Sequence, residues 1–202
     1  MSHDFFIDVH GPDQRGNHEK LKPLFEMALR EPDALPCALL CASFIDRFLL
    51  DSLKYIFVPG DTSKELLKPD SGLIGSLYNR ARIAYVLGLI DSTWFTNIRL
   101  IAEIRNKFAH SPEPLTFESD SIVQLCKKLV PRDGARPGQF FVMGVDMFTP
   151  ERLEEPRARF LSISLEIAFG LMHRLHRLVG WKAVTSRKGV LPPLDQDGRQ
   201  TH

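Results

Sequence analysis

The sequence is poor in cysteine, tyrosine and tryptophan, and it carries almost no net charge. Its three cysteines, Cys37, Cys41 and Cys126, form an odd set that suits a reducing interior better than a disulfide framework. Cys37 and Cys41 stand four apart, a spacing that puts them on one helix face. No further Cys or His completes a zinc set nearby, so all three thiols are expected in the core. Long apolar runs are missing too. The longest uncharged one, Leu35 to Ile45, falls far short of the ~20 residues that span a bilayer. The opening MSHDFFIDVHGPD places acids and Gly-Pro where a signal peptide needs a basic end and an apolar stretch. A cytoplasmic protein with no membrane partner is expected. The net charge of +1 gives no global attraction for nucleic acid. Gly72 and Gly75 fit no phosphate-cradling pattern, and no cofactor or metal is expected.

What is present is helical periodicity. The apolar share of 44% and charged share of 25% are those of an ordinary globular chain, which argues against extensive disorder. Residues 1–16 are expected as an irregular lead-in, 17–182 as a single helical-bundle domain, and 183–202 as a loosely ordered basic tail. A first helix begins at the N-cap candidate Asn17 and closes at Pro32. A second spans Leu35 to Phe57, with Leu40, Phe44, Phe48, Leu49 and Ile56 near one side and Asp46, Arg47, Asp51 and Lys54 on the wet side. VPGDTSKELLKPDSG then breaks the pattern. A third helix starts at Ser71 and carries Leu73, Leu77, Ala81, Ala84, Tyr85 and Leu89. A fourth starts at Asp91 and Ser92, runs Phe95, Ile98, Ala102 and Phe108 along its apolar face, and ends at Ser111-Pro112. A shorter helix follows from Ser119 or Asp120. Residues 131–149, rich in Gly and Pro, are expected as an irregular or hairpin segment. Proline at a first helical position then restarts a helix at Thr149-Pro150, which Pro156 kinks or splits and Gly180 stops. The fold class is all-α, an antiparallel bundle of five to seven helices.

Charge is unevenly placed. From Leu171 onward there are six basic residues, Arg174 among them, against two acids, so this end is read as a solvated basic terminus. The rest holds 20 basic and 23 acidic residues.

Three groups could carry chemistry. The strongest is EIRNKFAH, with Arg105, Asn106 and His110. On a helix Asn106 and His110 lie about 40° apart, whereas Arg105 and His110 lie about 140° apart. The latter two meet only if the helix unwinds before His110 or if two chains pair. A metal-free ribonuclease could use His110 to move a ribose hydroxyl proton, Arg105 to hold the phosphate and Asn106 to orient either. The same residues would also serve as cations at a helix C-terminus. His173 and His176, three apart, have ligand spacing without a carboxylate in register, and read as an exposed last turn. A helix-turn-helix finds only Asn97 and Arg99 as early base-reading candidates, both on a long apolar helix.

Leu66 to Ser111 resembles the central region of the bacterial mannitol operon repressor family. The residues concerned are Leu67, Asp70, Gly72, Leu73 and Leu77, then Arg80 and Arg82, then Tyr85-x-Leu87-Gly88-Leu89-Ile90, and finally Ile104-Arg105-Asn106 with Phe108 and His110. That family is similar to the HEPN helical bundles, whose hallmark is an arginine, a polar residue and a histidine four to six positions on. The resemblance implies a HEPN-like bundle, a homodimer that places two motifs face to face, and control of sugar-alcohol uptake genes. A repressor gripping DNA alone needs Lys and Arg for phosphates, and the body here is net negative. Action through a protein partner or a separate DNA-binding subunit is therefore expected. The alternatives are RNA cleavage at Arg105, Asn106 and His110, and a purely structural dimeric bundle. An exposed apolar patch over Tyr78, Tyr85 or Phe95 would mark a partner surface.

Overall fold

A computed structural model describes residues 23, 26–69, 71–132, 141–142 and 145–185. Among these are eight helices and one two-residue strand pair, an all-α bundle. Residues 26–30 are helical (α1). They are followed by α2 (Ala34–Ile56), α3 (Asp61–Leu66), α4 (Leu77–Val86), α5 (Ser92–His110), α6 (Asp120–Lys127), β1 (Phe141–Val142), β2 (Val145–Asp146), α7 (Pro150–Glu154) and α8 (Pro156–Thr185). The strands pair antiparallel, Phe141 opposite Asp146 and Val142 opposite Val145. The expected lead-in 1–16, the Asn17 cap, residues 133–140 and the tail from 186 lie outside the described residues.

The central helix is α2, which packs against α4, α5 and α8. Its buried stripe is Cys37, Cys41, Ile45, Phe48, Leu49, Ser52 and Leu53. Leu40, Phe44 and Ile56 are only partly covered, so the apolar face is rotated from the expected one. The reason is small residues: Cys37, Ala38, Cys41 and Ala42 are all buried, and they let neighbouring helices approach closely.

Local chemistry sets the helix ends. Ser76, not Ser71, caps α4, its hydroxyl accepting from the Asn79 N–H. The stretch before it is a tight loop, because a Cβ on Gly72 would lie 2.3 Å from the Leu66 carbonyl oxygen. Leu73 is consequently exposed rather than core. At the other end Gly88 adopts φ 69°. Its N–H donates to the Tyr85 carbonyl, and the Leu89 N–H reaches back to Ala84 at 2.8 Å. This is a Schellman closure.

Asp91 caps α5 by accepting from the Trp94 N–H at 2.8 Å. Thr149 does the same for α7, with Pro150 in the first turn. Pro156 splits the last helical run into α7 and α8, as one of the two expected outcomes. Two expectations need correction. The stretch read as a pure breaker contains α3, started after Gly60 with Asp61 in its first turn. Gly180 does not stop α8, which continues to Thr185. A glycine inside a long helix costs only about 1 kcal/mol, less than a stop requires without a left-handed residue.

Arginines of α8 staple surrounding loops. Arg157 donates to the Glu31 carbonyl. Arg159 donates to those of Leu129 and Leu153 at 2.8 and 2.7 Å, and Arg174 to that of Leu89. Among the described residues no helix is long and apolar enough to cross a membrane.

Candidate functional site

Helix α5 stays intact through His110, and the Ser111 N–H closes it onto the Lys107 carbonyl at 3.0 Å. The unwinding that would bring Arg105 to His110 does not occur. About 140° of helix separates them, and within one chain they do not converge. Arg105 instead donates to the neighbouring Asn106 carboxamide oxygen at 2.7 Å.

Asn106 and His110 do share a face, and that face is one wall of a groove of about 670 Å³. Arg99, Ala102, Glu103 and Lys107 continue the wall. Tyr78 of α4 stands on one side, and Leu115 and Ser121 on the other. Arg99, Glu103, Asn106 and His110 follow the helical repeat, so their grouping was readable along the chain. Tyr78, Leu115 and Ser121 come from other elements, and no spacing along the chain announces them. Arg105 does not line the groove, which gathers two fixed cations, one carboxylate, an imidazole and hydroxyls. That set can hold an anion and move a proton.

Tyr78 also ends an aromatic row. Tyr85 stacks on Phe95, with centroids 5.2 Å apart and planes 14° from parallel. Tyr78 tilts against the same Phe95 at 6.3 Å. The Arg82 guanidinium lies 5.8 Å from the Tyr78 ring centre. Tyr78 and Tyr85 keep 41% and 44% of their surface exposed, and Val86 79%. Phe95, expected on the apolar face of α5, lies at the margin of that face, half-buried against the core with the two tyrosines beyond it. The deep face of α5 is Trp94, Asn97, Ile98, Ile101, Ile104 and Phe108.

Asn97 is correspondingly no base reader. It is fully buried, donating to the Val130 carbonyl at 2.6 Å and accepting from the Val130 N–H at 3.2 Å. This pins the segment that follows α6 to α5. Arg99 is exposed in the groove.

A second cluster, missed in the sequence, surrounds Trp94. Its indole lies against Gly170 of α8, where an added Cβ would meet the ring at 2.0 Å. The guanidinium groups of Arg174 and Arg132 lie 4.5 and 5.4 Å from it. Arg132 pairs with Asp91 at 3.2 Å. Arg174 therefore belongs to the packed interior rather than to a solvated basic end. Glu166 accepts from the indole N–H at 3.4 Å, while its other oxygen is buried with no hydrogen-bond partner. Burial pushes this carboxyl up to about 7, against the opposing pull of the Trp94 hydrogen bond and Arg132.

All three cysteines are buried. A thiol hydrogen bond between Cys37 and Cys41 lowers the first and raises the second, and burial raises Cys41 further. Burial pushes Cys126 up to about 12, against the opposing pull of the Arg159 charge. Among the described residues no three His, Cys, Asp or Glu side chains are grouped to hold a metal. No family model, curated protein or solved structure matches the chain.

Proposed function

We propose that this chain is a cytoplasmic transcriptional regulator of the mannitol operon repressor type, HEPN-like and homodimeric, which acts through a protein partner. The observation that carries the reading is the aromatic row Tyr78–Phe95–Tyr85, whose two tyrosines are exposed over half-buried Phe95, with exposed Val86 beside them. Large rings held rigid at a surface are the usual anchors of protein interfaces. Buried free thiols support a reducing compartment. The resemblance of Leu66 to Ser111 supplies the regulatory role.

A second reading has its own observation. Asn106 and His110 line a groove with Arg99 and Lys107, an arrangement suited to metal-independent RNA cleavage. Arg105 could join such a site only from a paired chain, since α5 holds it away from His110.

One pair of experiments separates the readings. Total RNA incubated with pure protein in EDTA stays intact under the regulator reading. Cleavage by wild type that His110→Ala abolishes would replace that reading with the nuclease. In cells, Tyr85→Ser should reproduce the change in sugar-alcohol uptake transcripts caused by deleting the gene, and His110→Ala should not.

A further inference from the structure

The aromatic row sits in a locally basic setting that narrows the kind of partner. Tyr78, Arg82, Tyr85 and Val86 fall within a stripe of about 100° on α4. Phe95 and Arg99 face it from α5. Arg82 and Arg99 are both exposed, and among the described residues neither has a carboxylate partner. Helix α4 contains no acid at all, and its other arginine, Arg80, is buried against Asp46. The acid that lines the groove is Glu103, one helical turn beyond Arg99. The chain outside its C-terminal end is net acidic, so this face departs from the charge of the body around it.

We infer that the α4–α5 face docks an acidic peptide segment of a protein partner, one that carries aromatic or aliphatic anchors between its carboxylates. The inference rests on the protein-partner reading above and names that partner's chemistry. The anchors meet Tyr78, Tyr85 and Val86, and the carboxylates meet Arg82 and Arg99. Arginine presents a planar fork that binds carboxylate in two-point fashion. The Tyr85–Phe95 stack holds the ring before binding, so little side-chain freedom is lost on docking. A second copy of the chain fits this face poorly. A two-fold contact sets the same patch against itself, which would bring four unpaired guanidinium groups into one interface. Nucleic acid fits less well than protein, because two cations beside exposed Val86 and Leu87 neutralise few phosphates.

The test pans a displayed library of random peptides of about 12 residues, a length for about three helical turns, against the immobilised full chain. Enriched peptides should combine Asp or Glu with Phe, Trp or Leu. Their binding should weaken about tenfold in Arg82→Glu, weaken again as salt rises from about 0.05 to about 0.5 M, and vanish in Tyr85→Ser. Circular dichroism melting of both variants confirms that they fold, and Arg99→Glu gives a second reading if either does not. The inference is overturned by enrichment of basic or uncharged peptides, by no enrichment, or by binding that survives Tyr85→Ser. It is also overturned if oligouridine displaces the peptides at equal concentration, or if sedimentation shows a dimer that Tyr85→Ser dissociates. A basic-peptide result would leave the regulator reading standing. Unchanged transcripts on gene deletion would sink that reading and leave the panning result intact.

Discussion

Glu166 is a carboxyl group whose proton is held by its surroundings rather than by the solvent. One oxygen accepts from Trp94 and Arg132 pulls the same way, but burial outweighs both, pushing the group from its ordinary 4.5 up to about 7. The folded chain thus binds this proton more tightly than the unfolded one. The stability linked to it is complete below the unfolded value and is lost as pH rises through about 7. The loss across about pH 5 to about pH 8 is on the order of 2 kcal/mol. Glu166→Gln keeps the shape and cannot ionise, so its melting temperature should change less over that range than wild type's. Equal slopes for both proteins would remove Glu166 from the account. A neighbouring position tests packing. Gly170→Ala would gain about 1 kcal/mol of helix propensity, but its Cβ collides with a buried indole. Overpacking costs roughly 1–3 kcal/mol, so the variant should melt below wild type. A higher melting temperature would show that the ring can retreat.

Among the elements, α5 carries the most. One face packs the core, one edge holds Phe95 and Arg99, and its last turns line the groove. Asn97 ties this helix to the segment just after α6 through both polar atoms of its carboxamide. Asn97→Ala leaves the Val130 N–H and carbonyl without these partners, at about 1–3 kcal/mol. Amide exchange should quicken first in α6 and the segment after it, while α2 stays protected; uniform quickening would mean that the tie holds the whole bundle. The existence of α5 was legible in Asp91, Ser92 and Ser111-Pro112, because caps and proline act within a turn. Its rotation was not legible. Periodicity placed Phe95 and Ala102 inside, yet Phe95 finds Tyr85 and Tyr78 at the edge, and Trp94 goes inward because Gly170, far along the chain, makes room for it. The same limit governs the site. Asn106 and His110 could be grouped by spacing, whereas Tyr78, Leu115 and Ser121 join them only in three dimensions. Short α3 escaped notice because Gly60 and Pro69 look like breakers, although they bound the helix rather than forbid it.

Across the whole molecule, the polar interior is organised around arginines that reach between elements. Arg80 is the most enclosed, 2% exposed, with one nitrogen 2.6 and 2.5 Å from the two Asp46 oxygens and another 3.4 Å from the Leu67 carbonyl. It joins α4 to α2 and to the loop after α3. Removing Asp46 alone leaves a buried guanidinium uncompensated, whereas replacing both partners by apolar groups removes the problem. Asp46→Ala should cost about 2–3 kcal/mol, short of a sealed pair because Asp46 is partly exposed. Asp46→Leu combined with Arg80→Met should recover most of it. Additive losses in denaturant melts would show that the pair contributes nothing as a pair.

The packing of Trp94 has an optical consequence. The chain contains two tryptophans, and this one is 2% exposed, clamped between α8 and two guanidinium groups with a titrating carboxyl on its N–H. A ring shielded from water emits at shorter wavelength than one in solvent. Its emission therefore reports, without any attached dye, both the opening of the α5–α8 contact and the charge state of Glu166. With Trp181 replaced by phenylalanine, a single spectrum taken across pH would read the two events from the same ring.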